Sequence, residues 1–390
     1  MVIAMIGQKG LPARSGGIER HVETLATGLA SRGHKVIVFG RAWYVAGSQA
    51  PVGIEQVITP GIRTKHLDAI THSFTALWVA RRSHPDVVHL HGSGVALLTP
   101  VARLMHPRAK VVVTFHSIDR VLTKWGPVAR VAFRVGEWMA CHLPHRTVTI
   151  SQVLAAYCQK TYGVQTAYVT HPVPLPEVPT DVDNYLKPHG LVVDNFYLFV
   201  GRLIPDKMAH VVVEAYAKAC DERPSLFVDR PLVIVGGAAW TDAYASWLFD
   251  LAGRTPGVLM LGQRSGKELV ALQAGALAHV FPTVSEGLSL SLVEACQLNR
   301  LVIATDIEAN LEATNGSMLR IRPRDIESLS NALIQAAEMS SADRSLMSMP
   351  AHRHAIASHD LDDRIDDMER IYLETLGRPV VLNSQIAYQP

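Results

Sequence analysis

Short runs rich in valine and isoleucine alternate along the chain with longer segments whose apolar residues recur at helical spacing. Runs of this kind are typical of parallel strands that are buried on both faces of a sheet. In the first half of the chain we predict strands at 2–6, 35–39, 87–90, 111–115 and 147–150. Between the first two strands lies an amphipathic helix, whose apolar face comprises Ile18, Val22, Leu25 and Leu29. This strand–helix–strand pattern predicts a doubly wound α/β domain.

A proline-rich segment at 171–188 separates this series from a second one and indicates an extended linker. The second series has predicted strands at 196–200, 232–235, 258–261, 278–281 and 301–304. We therefore predict two Rossmann-like domains, residues 1–180 and 181–360, that face each other across a cleft.

One more amphipathic helix is predicted near the end of the chain. Its apolar stripe comprises Leu361, Ile365, Met368, Tyr372 and Leu376, and Gly377 provides a stop signal. We expect residues 361–390 to form a crossover helix and a tail, with the helix packing back on the N-terminal domain.

Composition excludes several classes of protein. Apolar residues make up 48% of the chain and charged residues 18%, which excludes disorder and simple coiled coils. No apolar run is long enough to span a membrane, and the chain starts without the basic region of a signal peptide. The four cysteines are dispersed without a Cys-x-x-Cys motif, so we expect neither a disulfide framework nor a zinc knuckle, and a cytoplasmic location.

The charge is distributed unevenly between the two halves. Residues 1–180 carry 19 Lys and Arg against 8 Asp and Glu, whereas the remainder carries 18 against 27. The basic half also contains a segment with interfacial aromatics, in which Arg120, Lys124, Arg130, Arg134 and Arg146 surround Trp125, Phe133 and Trp138. This combination predicts peripheral association with the anionic inner face of the plasma membrane. The alternative is that these apolar residues form the buried face of a helix, and no nucleic-acid-binding motif accompanies the charge.

The loop after the first predicted strand contains Gly16 and Gly17, directly before the first helix. Glycines at this position let backbone N–H groups and the positive end of the helix approach an anion. The loop is not a Gly-x-Gly-x-x-Gly motif, and no acidic residue closes the second strand, so a dinucleotide fingerprint is absent. A plain tight turn remains the alternative.

Charged residues also follow two strands of the second domain. Arg202 and Lys207 lie just past one strand and are suited to hold a diphosphate. Glu286 follows another strand, and Glu294 lies eight residues later in a helix, a separation of roughly 12 Å that exceeds the spacing of glycosidase carboxylate pairs. Two surface cations and two ordinary carboxylates are the alternative interpretation.

No metal site is expected from local spacing. His-Glu-x-x-His does not occur, and Asp-x-Asp occurs only at 181–183 and 360–362, neither of which follows a strand. We therefore expect no metal and no cofactor. Arg202, Lys207 and the helix ends would supply the positive charge that a bound metal ion otherwise provides.

Taken together, these motifs resemble those of the retaining GT-B-fold glycosyltransferases of family 4. The segment 305–312 is also similar to the family, and the resemblance covers nearly the whole chain. The sequence of the first loop, residues 7–19, is most similar to that of bacterial members that build surface polysaccharides. Two departures are Leu288 and Ser289, where many members have Phe-Gly, and the absence of an acidic residue after Gly236 and Gly237.

The resemblance implies a role for each motif residue on the donor side. Arg202 and Lys207 would hold the donor diphosphate, Glu286 the sugar hydroxyls and Glu294 the ribose. The remaining donor contacts would come from Gly16, Gly17, Gln263, Gly287, Leu288, Ser289 and Leu290.

On the acceptor side, His116 matches a family histidine near the reacting sugar, and His89 and His91 would line the acceptor. Arg202, Lys207, Glu286 and His116 are then the expected catalytic residues.

The implied activity is that of a hexosyltransferase, which moves a sugar from a UDP- or GDP-sugar to a glycan or polyisoprenoid-linked acceptor with retention of configuration. The retaining step would be a same-face attack in which the leaving phosphate takes the acceptor proton. The alternatives are a GT-B-fold nucleotide-sugar epimerase or phosphorylase, and a non-catalytic nucleotide-sugar-binding subunit.

Overall fold

The computed structural model of the chain describes residues 1–14, 16–238 and 241–379, so the expected tail from residue 380 onward lies outside the described residues. Two compact units are present. Unit 1 comprises Met1–Val121, Trp125–Pro174 and the chain from His359 onward, and unit 2 comprises Leu122–Lys124 and Leu175–Ser358.

Unit 1 is built on a parallel sheet of seven strands in the order β3-β2-β1-β4-β5-β6-β7. Its strands are β1 (Val2–Ile6), β2 (Lys35–Arg41), β3 (Ile54–Thr59), β4 (Val87–His91), β5 (Lys110–Phe115), β6 (Arg146–Thr149) and β7 (Ala167–Tyr168). Its first six helices are α1 (Gly17–Ser31), α2 (Ala42–Val45), α3 (Asp68–Ala80), α4 (Thr99–Met105), α5 (Pro127–His142) and α6 (Gln152–Tyr162). Short 3-10 turns lie at Arg81–Ser83, Val95–Leu98 and Asp119–Val121.

Unit 2 contains a parallel sheet of six strands in the order β10-β9-β8-β11-β12-β13. Its strands are β8 (Tyr197–Val200), β9 (Leu232–Val235), β10 (Val258–Gly262), β11 (Ala278–Phe281), β12 (Leu301–Thr305) and β13 (Leu319–Ile321). Its helices are α7 (Asp183–Leu186), α8 (Ala209–Glu222), α9 (Pro224–Phe227), α10 (Asp242–Gly253), α11 (Gly266–Gly275), α12 (Leu290–Gln297), α13 (Glu308–Ala313), α14 (Ile326–Glu338) and α15 (Ser341–Ser358). Two 3-10 turns lie at Lys187–His189 and Pro205–Lys207.

The last helix, α16 (Leu361–Leu376), returns to unit 1 and packs against α1. Ile365 contacts the bare face of α1 at Gly28, where any Cβ would collide with the isoleucine side chain. Tyr372 is fully buried in the core between α1 and the sheet. Gly377 ends the helix in a left-handed conformation with φ of 68°. The predicted return of this helix to the N-terminal domain is confirmed.

Both sheets have the strand order of a doubly wound fold, as predicted. In unit 1, β1 lies between β2 and β4, and in unit 2, β8 lies between β9 and β11. At such a point the chain connections leave in opposite directions, and the loops beyond the carboxyl ends of the two central strands form a crevice where ligands bind. The candidate residues that follow β1, β4, β8 and β11 therefore lie at the two switch points.

Three strands were not predicted from the sequence. They are β3, β7 and β13, and each lies at an edge of its sheet. An edge strand is not covered on every side, so its sequence can lack the continuous apolar run of a central strand; β3, for example, reads Ile-Glu-Gln-Val-Ile-Thr. Among the residues that the structure describes, none of the helices has the length and apolar character that crossing a bilayer requires.

Candidate active site

Lys207 and Glu286 form an ion pair at the switch point of unit 2. Lys207 ends the 3-10 turn after β8, and Glu286 lies on the loop after β11, so the parallel pairing of these two strands brings both side chains to the same edge of the sheet. Both side chains are mostly shielded from solvent, with 19% and 14% of their surface exposed. The two residues to which the family resemblance assigned separate roles are therefore direct partners in this structure.

Asp206 anchors the turn that carries Lys207. Its carboxylate is buried and accepts hydrogen bonds from the backbone N–H and the hydroxyl of Thr123, at 3.0 and 2.9 Å. Its carbonyl oxygen accepts a bond from the Thr283 hydroxyl at 3.3 Å, which ties the turn to the loop after β11. Asp206 was not predicted from the sequence, because nothing in the local sequence indicates that this residue holds the turn of Lys207 in place.

Glu294 projects from α12 and is buried. The Nε2 group of Gln273, on α11, donates a hydrogen bond of 2.9 Å to one of its carboxylate oxygens. The helix itself begins after Ser289, whose backbone is extended and whose hydroxyl lies 3.3 Å from that of Ser291. The Ser291 hydroxyl in turn donates to the carbonyl oxygen of Val200 at the end of β8. The start of α12 is thus attached to the strand that leads into the Arg202–Lys207 loop.

Arg202 and Gln263 are the exposed members of the candidate set in unit 2. Within the described part of the chain, no side chain pairs with the Arg202 guanidinium. Arg202 follows β8 directly, and Gln263 follows β10. The predicted donor residues in the loops of unit 2 therefore follow three strands of one sheet, β8, β10 and β11, with Arg202 in solvent and Lys207 paired.

Gly16 is the N-cap of α1 and has φ of 101°, a conformation that favours glycine. A Cβ there would also collide with the carboxylate of Glu19 in the first turn of the helix. That carboxylate is buried and accepts a hydrogen bond from the backbone N–H of Lys9 at 3.2 Å. Gly16 thus leaves room for the Glu19 carboxylate at the start of α1.

The three acceptor-side histidines occupy different environments in unit 1. His89 lies inside β4 with no exposed surface, and its two ring nitrogens face the Tyr372 and Thr114 hydroxyls at 2.6 and 2.7 Å. His91 ends β4, and His116 follows β5 with 5% of its surface exposed. The geometry gives His89 a packing role, because neither of its nitrogens is available to an acceptor.

Burial governs the protonation of these side chains. Desolvation lowers the pKa of His89 to about 3 and holds the pKa of His91 and His116 well below the ordinary value, because a charged imidazole loses its hydration there. All three are therefore neutral near pH 7.

Comparison with known proteins connects these two sheet edges to one family. The profile described as Glycosyltransferase Family 4 matches residues 15–173, and the profile described as Glycosyl transferases group 1 matches residues 194–339. The first match covers the glycine loop and the histidine strands, and the second covers the Arg202, Lys207, Glu286 and Glu294 positions.

Curated glycosyltransferases are similar to parts of the chain at low sequence identity. The O-antigen chain mannosyltransferase B of Escherichia coli is 23% identical over 164 residues, which span 42% of each chain. The D-inositol 3-phosphate glycosyltransferase of Streptomyces scabiei is 28% identical over 330 residues, which span 75% of this chain and 72% of the relative.

Solved structures show the same fold. The crystal structure of HepE from Anabaena, in complex with UDP and glucose, aligns with a TM-score of 0.75 at 17% identity and covers 96% of this chain and 100% of that one. With the two family profiles in order along the two doubly wound sheets, the chain belongs to the GT-B glycosyltransferases of family 4.

Proposed function

We propose that this glycosyltransferase moves a hexosyl group from a UDP- or GDP-sugar to a glycan or polyisoprenoid-linked acceptor, with retention of anomeric configuration, in polysaccharide or glycolipid synthesis. The observation that carries the proposal is the Lys207–Glu286 ion pair, which lies where the loops after β8 and β11 meet. A cation and a carboxylate at one switch point match the two ends of a sugar diphosphate, one anionic and one rich in hydroxyl groups.

Lys207 and Arg202 supply the positive charge for the diphosphate in this proposal. Arg202 offers a planar fork of donors and Lys207 a compact charge, and both lie on one short loop after β8. When the bond between the sugar and the phosphate breaks, negative charge accumulates on the leaving phosphate, and these cations stabilise it more strongly than in the ground state.

The two carboxylates have separate roles in the same proposal. Glu286 exchanges its ion pair with Lys207 for hydrogen bonds to sugar hydroxyls, while Gly287, Leu288, Ser289 and Leu290 present backbone groups at the start of α12. Glu294 binds the ribose hydroxyls, with Gln273 holding one carboxylate oxygen in position. Gln263 packs beside the nucleobase.

In unit 1 we assign the backbone at Gly16 and Gly17 to phosphate binding, because the 15-residue helix α1 starts there and the N-terminus of a helix attracts anions. His91 and His116 are assigned to the acceptor side. Retention then follows from attack on the same face that the phosphate leaves. The bond from C1 to the phosphate oxygen breaks, a bond from C1 to the acceptor oxygen forms, and the acceptor proton passes to the departing phosphate.

An assay with a panel of nucleotide sugars tests this function. Purified protein is incubated with UDP- and GDP-sugars, and nucleotide release and the anomeric configuration of the product are followed with and without a polyisoprenoid-linked acceptor. Transfer predicts release that depends on the acceptor and yields a product with the donor configuration. Release without acceptor would indicate an epimerase-type enzyme, consumption of phosphate a phosphorylase, and tight nucleotide binding without turnover a binding subunit.

We further propose that unit 1 rests on an anionic membrane surface through α5. Along this helix a row of four apolar side chains is exposed, namely Val128, Val131, Val135 and Trp138. Arg130 and Arg134 border the row and are themselves exposed. Such a face suits the headgroup boundary, where a polyisoprenoid-linked acceptor would be presented.

Some of the residues on which the membrane prediction was based are paired or packed within unit 1, and others are exposed. Arg120 is tied to the buried carboxylate of Glu137 and to the Tyr157 hydroxyl, at 3.2 and 3.0 Å. Phe133 and Trp125 pack against each other, with ring centroids 5.0 Å apart. The buried face of α5 and the exposed apolar row are therefore different sets of side chains, and the proposal now rests on the exposed row.

A further inference from the structure

One buried hydroxyl lies between the two loops of unit 2 that carry Lys207 and Glu286. It belongs to Thr283, which follows β11 and is 3% exposed. Its Oγ1 lies 3.3 Å from the carbonyl oxygen of Asp206 and 3.2 Å from the carbonyl oxygen of Ser285. Asp206 directly precedes Lys207, and Ser285 directly precedes Glu286. The hydroxyl therefore contacts the backbone next to both members of the ion pair.

This contact fixes the two loops against each other. A hydroxyl group has one proton to donate, and its two carbonyl acceptors lie at nearly equal distances, so the proton is shared between them. The backbone N–H of Val284 also lies 3.5 Å from the Asp206 carbonyl oxygen. The turn of Lys207 is thus held from two sides, by Thr123 at the Asp206 carboxylate and by Thr283 at the Asp206 carbonyl group.

Two further buried side chains hold Thr283 in place. The hydroxyl of Thr305, at the end of β12, donates a hydrogen bond to the carbonyl oxygen of Thr283. The Nδ2 group of Asn310, on α13, lies 3.0 Å from both the carbonyl and the hydroxyl oxygen of Thr305. Both side chains are buried. We refer to Thr283, Thr305 and Asn310 as the buried polar network.

The position of the network relates it to the candidate site. It crosses the carboxyl edge of the neighbouring strands β8, β11 and β12, from which the Lys207 and Glu286 loops emerge. Polar groups in a protein interior are unfavourable unless they are hydrogen-bonded, and valine has nearly the shape of threonine without the hydroxyl. A buried network whose members are hydrogen-bonded makes the surrounding backbone rigid. Its place at this edge indicates that the geometry of the two loops is what the network maintains.

We propose that Thr283 is a positioning residue for sugar transfer, whose hydroxyl fixes the placement of Lys207 relative to Glu286. The inference rests on the proposed function, in which Lys207 stabilises the leaving phosphate and Glu286 binds the sugar. The bond that breaks joins these two parts of the donor, so a change in the separation of the two side chains misaligns the reacting atoms. Thr283 acts through the backbone of both loops and not by contact with the donor.

Steady-state kinetics of two substitutions at Thr283 test the proposal. Thr283→Val keeps the shape and removes the hydroxyl, whereas Thr283→Ser keeps the hydroxyl and removes a methyl group. Thr283→Val should lower kcat by about 10- to 100-fold, as expected for a catalytic group displaced by up to about 1 Å. It should leave KM for the donor within about threefold of the parent value, because the loss is felt mainly in the transition state. Thr283→Ser should restore most of the turnover.

A double variant shows whether Thr283 acts through Lys207. Residues that act through one another have effects that do not add. Thr283→Val added to Lys207→Ala should therefore reduce turnover by a smaller factor than Thr283→Val alone reduces that of the parent protein. Independent, multiplicative losses would mean that Thr283 does not position Lys207.

Thr255→Val is the matched control. It removes a hydroxyl that donates to the Leu251 carbonyl oxygen at 2.9 Å, before β10 and thus at the opposite edge of the same sheet. It should lower Tm, as Thr283→Val should, but keep the parent kcat. If Thr283→Val does not fold by circular dichroism, Thr283→Ala replaces it, and its comparison with Thr283→Ser again isolates the hydroxyl.

The outcomes separate this assignment from the proposed function. Parent-like kcat in a folded Thr283→Val or Thr283→Ala variant, or equal losses in the serine variant, would overturn the positioning role while leaving the transferase function in place. An equal loss of kcat in Thr255→Val would also overturn it, because the effect would then be one of general stability. Absence of transfer by the parent protein with every donor would overturn the proposed function, and this assignment with it.

Discussion

Lys207 is the single side chain on which the donor site depends most. Lys207→Ala should remove a charge-assisted contact to the leaving phosphate that is worth about 2–4 kcal/mol, so turnover should fall by about 30- to 1,000-fold. The loss of turnover in Arg202→Ala should lie within the same range. The measurement is the rate of nucleotide release in the presence of acceptor.

The control for this change is Lys218→Ala, which removes a half-exposed lysine of unit 2 that pairs with Glu222 and Glu327, away from the proposed donor residues. Its turnover should equal that of the parent protein. Near-normal turnover in Lys207→Ala, with the fold intact, would contradict the assigned role.

Substitutions of Glu294 and Glu286 should have different effects on nucleotide binding. Glu294→Gln preserves shape next to Gln273 but removes the charge, and the loss of a charged hydrogen bond, about 1.5–3 kcal/mol, should weaken binding of free nucleoside diphosphate by about 10- to 150-fold. Glu286→Gln should leave nucleoside diphosphate affinity unchanged and reduce transfer, because its proposed contact is to the sugar. Calorimetry with UDP and GDP is the measurement, and the opposite pattern in the two variants would exchange their roles.

At the scale of elements, α16 contributes Ile365, Met368, Ile371 and Tyr372 to the core of unit 1. Ile365 is 1% exposed and fills the space left by Gly28 on α1. Ile365→Ala should cost about 2–5 kcal/mol, as for other buried isoleucines truncated to alanine, and lower the Tm of unit 1. Ile356→Ala, at a position 37% exposed, should lower Tm far less, and equal effects in thermal melts would show that the α1–α16 contact is dispensable.

Helix α5 should determine membrane association. Arg130→Gln combined with Arg134→Gln removes two cations that border the apolar row, each worth up to about 1 kcal/mol, so binding to anionic vesicles should weaken by up to about 30-fold. Binding should also fade with salt, as expected for screened charges. Co-sedimentation at low and high salt is the measurement.

The double variant Arg254→Gln and Arg353→Gln removes two exposed arginines of unit 2 and is the control for net charge. It should sediment with vesicles as the parent protein does. If the parent protein stays in the supernatant at low salt, an acceptor in solution becomes the better assignment.

The sequence predicted the elements whose signal is local. Central strands such as β1 and β9 match their predicted ranges, because burial on both faces requires a continuous apolar run. The edge strands β3, β7 and β13 were missed because they are short or lack such a run, whereas the edge strand β10 has one and was predicted. The Lys207–Glu286 pair joins side chains 79 positions apart, so it has no spacing that a local motif could capture.

At the scale of the whole molecule, buried neutral histidines should make stability depend on pH. Burial is the main cause that lowers the pKa of ten histidines, which are His21, His72, His89, His91, His106, His116, His145, His171, His210 and His279. Below pH 6.5 the unfolded chain binds protons that the folded chain does not, so stability falls as pH falls, by up to about 1.4 kcal/mol per pH unit for each such group. The window extends from 6.5 down to the folded value, about 4 for His279.

Urea unfolding at pH 7.5, 6.5 and 5.5, with a chelator present, measures this dependence. The midpoint should fall across the series, and His279→Gln should make the fall of unit 2 shallower. A midpoint that is constant from pH 7.5 to 5.5 would mean that these histidines are hydrated or already protonated in the folded protein.

The position of α16 also bears on how the chain is made. Unit 1 takes most of its residues from the first 174 positions. Tyr372, whose hydroxyl lies 2.6 Å from His89 Nδ1, is translated nearly two hundred residues later. While the ribosome synthesises unit 2, the groove on α1 that receives Ile365 stays open, so the nascent N-terminal half carries an uncovered apolar surface for the whole of that interval. Unit 2, whose main segment is continuous, can close as it emerges. Unit 1 is thus the first unit to be synthesised and the last to be completed. We expect a nascent chain of this architecture to bind chaperones that shield apolar surface at the ribosomal exit.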